Sequence, residues 1–175
     1  EGPPTLMPGQ VVRGFANDVD RTVSHFLQTF PAANDFAAVG LPAGLTLNAA
    51  TGEISGIPVQ GSSTEITVTS NNAKGYDQKI VSVVIVNAND FSHRLQMTFE
   101  GYDGNETLKD FPVLTRFTPT ITNFTLRSFQ SSSGNDLRFF DDKANELAYE
   151  IDEWNVGSDE LLAWVRIPGL TKDLN

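Results

Sequence analysis

Residues 41–58 read LPAGLTLNAATGEISGIP, and this stretch leaves the backbone few options. Pro42 has its φ locked, and it pushes Leu41 out of the helical region. Gly44 permits a tight bend, after which Leu45 and Leu47 fall on one face of a strand and Thr46 on the other. Asn48 to Gly52 supplies a polar turn whose glycine tolerates a positive φ. Glu53 to Ile57 returns as a second strand, and Pro58 ends it. The expectation is a hairpin with its register pinned at both ends. It contains no nucleophile, base or ligand cluster, so it encodes geometry rather than chemistry.

The same grammar runs along the chain. ITVT (66–69) sets Ile66 and Val68 against threonines, and QKIVSVVIV (78–86) is β-branched enough to be buried on both faces. QMTFE, FPVLTRF, DLRFF, LAYEID and LLAWVRI follow, separated by Gly, Asn, Asp and Ser. No segment keeps a 3.6-residue apolar period through three turns; NDFAAVG and DDKANELAYE allow a helical turn at most. The chain reads as all-β, two β-sandwiches in tandem: residues 1–88, immunoglobulin-like, then residues 89–175. The junction NANDF (87–91) predicts a short turn rather than a flexible linker.

Charge narrows the partners. The 175 residues carry 22 Asp and Glu against 12 Lys and Arg, a formal charge of −10. Residues 1–90 hold 8 acids and 4 bases, residues 91–175 hold 14 and 8, so neither half suits phosphates or an anionic membrane. Cysteine is absent, which removes disulfides, thiol catalysis and Cys-based zinc sites. No apolar run reaches the length of a membrane span. The opening EGPPTLMPGQ lacks an initiator Met and a signal region, and TKDLN follows directly on an apolar run. Both ends read as cut from a longer protein.

Nine acids gather late in the chain: Asp136, Asp141, Asp142, Glu146, Glu150, Asp152, Glu153, Asp159 and Glu160. Calcium takes several carboxylate and carbonyl oxygens from a loop, and Asp141, Asp142, Asn145 and Glu146 form one candidate set. They lack the spacing and glycine of an EF-hand, and a solvated acidic face is the competing reading. Asn87, Asn89 and Asp90 at the junction form a second calcium set. Glu150 and Glu153 are available as a glycosidase acid and nucleophile, but no cleft motif accompanies them. Trp154 and Tyr149 are candidates to stack on a sugar ring, with Trp154 the better exposed tryptophan between Glu153 and Asn155. Trp164 in LLAWVRI suits packing at least as well, and core is the favoured reading for both tryptophans. His25 and His93 have no partners at ligand spacing, and no nucleophile elbow, phosphate loop or zinc-protease motif occurs.

Two resemblances extend this reading. Leu-Pro-x-Gly-Leu at 41–45 and Thr-Gly-x-Ile-Ser-Gly-x-Pro at 51–58, followed by ITVTSNNAKGYDQKIVSVVIV, resemble the immunoglobulin-like repeat of bacterial surface proteins. The likeness covers about residues 10–87 and implies an extracellular seven-stranded, cadherin-related module, one of many in a long adhesin-like or exoenzyme chain. NAND then stands where cadherin-like repeats hold calcium between modules. From about residue 93 onward, LKDFPVLTRF (108–117), GNDLRFFDD (134–142), LAYEIDEWN (147–155) and LLAWVRIPGL (161–170) resemble domain of unknown function 2341. That resemblance implies a second sandwich, truncated here because the family's closing Tyr-Gly-Asn-like strand is missing. The expectation is a non-catalytic extracellular module pair, a spacer plus an adhesion or carbohydrate-binding domain, meeting glycan or a cell-surface polymer beside neighbouring domains of its own chain. A pure stalk, or an accessory part of a glycoside-acting hydrolase, are the alternatives.

Overall fold

The computed structural model describes residues 2–172. Two compact units divide them: one runs to Ser92 and includes Asp142–Asn145, the other holds His93–Asp141 and continues from Glu146. Both are built from strands, and the all-β reading stands.

The first unit contains β1 (Thr5–Leu6), β2 (Val11–Ala16), β3 (Val23–Phe26), β4 (Thr29–Phe30), β5 (Asp35–Val39), β6 (Leu45–Leu47), β7 (Glu53–Gly56), β8 (Ser62–Asn72) and β9 (Gly75–Asn87). A four-stranded sheet in the order β2-β9-β8-β5 and a three-stranded sheet in the order β3-β7-β6 share one core, with β1 and β4 paired at the side. Strand alternation supplies that core from both sheets: Val12, Ile66, Val68, Val81, Val83 and Ile85 meet Val23, Leu45 and Ile54. The predicted hairpin is β6–β7, with Leu45 opposite Gly56 and Leu47 opposite Ile54.

Three local expectations change. NDFAAVG forms strand β5, paired antiparallel with β8, rather than a helical turn; a sheet edge offers its backbone a ladder that an isolated turn lacks. The run 78–86 in β9 is buried on one face only, since Ile80 is 65% exposed while Val81 and Val83 are buried. Here β-branched residues serve strand propensity on the outer face as well as packing on the inner. QMTFE and DLRFF show the right alternation but find no ladder; only Phe140 makes an isolated bridge, to Glu146.

The second unit is built on one antiparallel sheet of β10 (Leu108–Phe117), β11 (Tyr149–Asn155) and β12 (Glu160–Leu170), with β12 in the centre. Leu161, Ala163 and Val165 of β12 are fully buried, and the turn-rich segment between β10 and β11 covers them with Ile121, Phe124, Leu126, Phe129 and Phe139. A chain of ring contacts holds this cover: Phe117 stacks on Phe124 at 5.4 Å, and Phe129 meets Trp154 edge-on at 5.1 Å.

Candidate functional site

The late acids do not converge. Asp136 accepts the N–H groups of Gln130 and Ser131, closing the 130–136 loop, and Asp159 accepts Leu126 N–H at 2.7 Å and the Thr125 hydroxyl at 3.2 Å. Glu146 pairs with Arg138 at 3.2 Å, Glu160 with Arg116, and Glu153 accepts the Asn155 amide at 3.1 Å. Each of these carboxylates is engaged by local donors instead of pointing at a common centre.

Among the described residues no three His, Cys, Asp or Glu side chains group where a metal ion would sit. Of the first calcium set, Asp142 and Glu146 are exposed and Asp141 and Asn145 half-buried. At the junction, Asn87 Nδ2 donates to Asp90 Oδ1 at 2.8 Å and Asn89 N–H to Asn87 Oδ1 at 3.1 Å, inside the 3-10 turn Ala88–Asp90. Calcium needs six to eight converging oxygens, and these donor sets do not fit it. Glu150 and Glu153 both lie on the exposed side of β11, opposite Trp164 and Leu162. Two carboxylates on the same face of one strand do not face each other across a sugar, as glycoside cleavage requires.

Of the two tryptophans, Trp154 takes the core role favoured for both, although it was the better candidate for exposure, and Trp164 does not. Along β12, Leu161, Ala163, Val165 and Ile167 point inward, so Leu162, Trp164 and Arg166 point outward. Trp164 is 41% exposed. On β11, Tyr149 and Ile151 point inward; strict alternation would send Trp154 outward with Glu150 and Asp152. The ladder shifts register between Ile151 and Glu153, and this bulge brings Trp154 opposite Leu161 on the inner face. There it packs over Gly134, where an added Cβ would lie 2.5 Å from its ring. Its indole nitrogen is buried without a partner among the described residues. Tyr149 likewise turns in, donating to Leu137 O at 2.8 Å beside the Phe139 ring. Sequence alternation alone had no means of placing the bulge.

The outer face of the second sheet is therefore the surface that carries unassigned chemistry. Leu114, Trp164 and Glu150 lie in one row across β10, β12 and β11. Pro112 and Arg166 form the next row, and Arg116, Leu162 and Glu153 the row on the other side. Arg166 pairs with Asp110 at 3.2 Å and Arg116 with Glu160, both at the surface. In the first unit, His25 on β3 has a buried Nε2 without a partner among the described residues, and burial lowers its pKa below the usual 6.5.

Comparison with known proteins follows the two units. Residues 12–87 match the family described as "Putative Ig domain", and residues 133–175 match "Domain of unknown function (DUF2341)". Neither description carries a catalytic activity. No curated protein matches the chain. Among solved structures, it is similar to a "putative alpha-galactosidase/melibiase" of Bacteroides fragilis, at 28% identity over 49% of this chain and 18% of that one, with a TM-score of 0.42. An endo-fucoidan hydrolase of glycoside hydrolase family 107 is 14% identical over 95% of this chain and 30% of its own, with a TM-score of 0.41. The chain thus spans less than a third of either enzyme chain. Among the described residues no helix is long and apolar enough to cross a membrane.

Proposed function

We propose that the chain is a non-catalytic, extracellular module pair within a larger secreted or surface protein. The immunoglobulin-like unit acts as a spacer, and the second unit presents a binding face to glycan or another surface polymer. The observation that carries this reading is the division of labour between the tryptophans: Trp154 is spent on the core, while Trp164 stands outward beside Leu114 and Glu150. An indole this exposed leaves much of its surface to solvent, and an aromatic face suits the apolar face of a sugar ring. Glu150 and Glu153, the pair a hydrolase would need, share one face of β11, and Asp136, Asp159 and Glu160 are engaged as loop caps and a surface pair. A spacer role suits the first unit, whose hydrophobic core draws on both of its sheets.

Pull-down of the 175-residue chain on a panel of insoluble polysaccharides tests the reading, with retention on at least one expected. Uniformly null binding reduces the pair to a stalk.

A further inference from the structure

Building on the glycan-binding reading above, we infer that the outer face of the second sheet is a stacking platform for a neutral pyranose, with Trp164 as its floor and Leu114 and Glu150 beside it. The three residues sit directly opposite one another in the ladder, so their side chains leave the same face. With strands about 4.8 Å apart, the row spans roughly 10 Å from Leu114 to Glu150. One end of that row is aliphatic, the middle aromatic, and the other end a carboxylate with no protein partner among the described residues. An exposed carboxylate accepts hydrogen bonds and donates none. Beside an indole, it matches a ligand that offers hydroxyl donors at the edge of an apolar face.

The surrounding charge separates this occupant from others. Arg116 and Arg166 flank Trp164, and each is already paired, with Glu160 and Asp110 respectively. Glu150 and Glu153 add negative charge on the β11 side. Such a face is complementary to an uncharged, hydroxyl-rich ligand and repels a sulfated or phosphorylated polymer. Protein interfaces deplete charge around their apolar core, whereas here Glu150 lies directly opposite the tryptophan, Arg116 diagonally across on β10 and Arg166 two residues along its own strand.

Affinity electrophoresis of the full chain through gels containing xylan, galactomannan or hydroxyethylcellulose tests this, with fucoidan as the anionic arm. The expected result is retardation by at least one neutral polymer, weakened about tenfold or more by Trp164→Ala and also reduced by Glu150→Ala. The single-tryptophan variant Trp154→Phe gives a second measurement that requires no loss of Trp164: its emission should shift on saturation with the retarding polymer. Retardation undiminished in Trp164→Ala, with no emission shift, overturns the platform and leaves glycan binding intact. No retardation by any polymer, fucoidan included, overturns both. Retardation by fucoidan alone, abolished by salt, overturns the neutral specificity.

Discussion

Gly44 and Gly56 meet backbone to backbone. A Cβ on Gly56 would lie 2.1 Å from the carbonyl oxygen of Gly44, and a Cβ on Gly44 would lie 2.0 Å from that of Ile57. Both have positive φ, 91° and 134°. The neighbour in each case is backbone, which has no rotamer through which to yield. Gly44→Ala and Gly56→Ala should each lower stability by about 2 kcal/mol or more, read from urea unfolding. A loss below about 0.5 kcal/mol in both would show that the approach does not constrain the hairpin.

Asp159 ties the β11–β12 turn to the covering segment through Leu126 N–H and Thr125, and holds φ at 56° while doing so. Asp159→Ala should cost about 1–3 kcal/mol and speed amide exchange at Leu126. Asp159→Asn keeps an acceptor and a side chain at ease in the left-handed region, so it should cost less. Equal losses in the two variants would remove the acceptor from the explanation.

The tryptophans should separate stability from binding. Trp154→Ala removes an inner-face ring packed on Phe129 and is expected to cost about 2–4 kcal/mol in thermal or urea unfolding. Trp164→Ala removes an outward ring and should stay within about 1 kcal/mol of the parent. The reverse order would mean that the outer face is packed in the intact protein.

Burial without a partner lowers the His25 pKa, so below about pH 6.5 the unfolded chain binds the proton more readily than the folded one. The contribution of this group is complete above the unfolded pKa and is lost as pH falls through about 6.5 toward the folded value. His25→Phe should flatten that part of the stability–pH curve, measured by urea melts at half-unit steps. An unchanged slope below pH 6.5 would exclude His25 as its source.

Thermal melts with calcium and with EDTA should coincide. The oxygens of Asn87 and Asp90 accept from within their own turn, and no triad of acids gathers among the described residues. A midpoint raised by calcium would reveal a site selective for the folded state.

The sequence alone determined the strand character, the hairpin at 41–58 and its turn residues, because alternation, Pro and Gly act over a few residues. It also determined that β12 has one core face, but not which: Leu162 and Trp164 keep period two as well as Leu161, Ala163 and Val165, and folding chose the latter. The tertiary structure decided what alternation does not encode. The parallel pairing of β2 with β9 joins residues about seventy apart. A strand's partner decides whether alternation becomes a ladder, so QMTFE stays irregular while NDFAAVG joins a sheet. One extra residue at Asp152 turned Trp154 into the core, leaving Trp164 as the outward indole, because a bulge reverses side-chain parity for everything after it. The acids were legible as charge but not as a site: a carboxylate goes to the nearest unsatisfied donor, and chain folding sets where those donors lie.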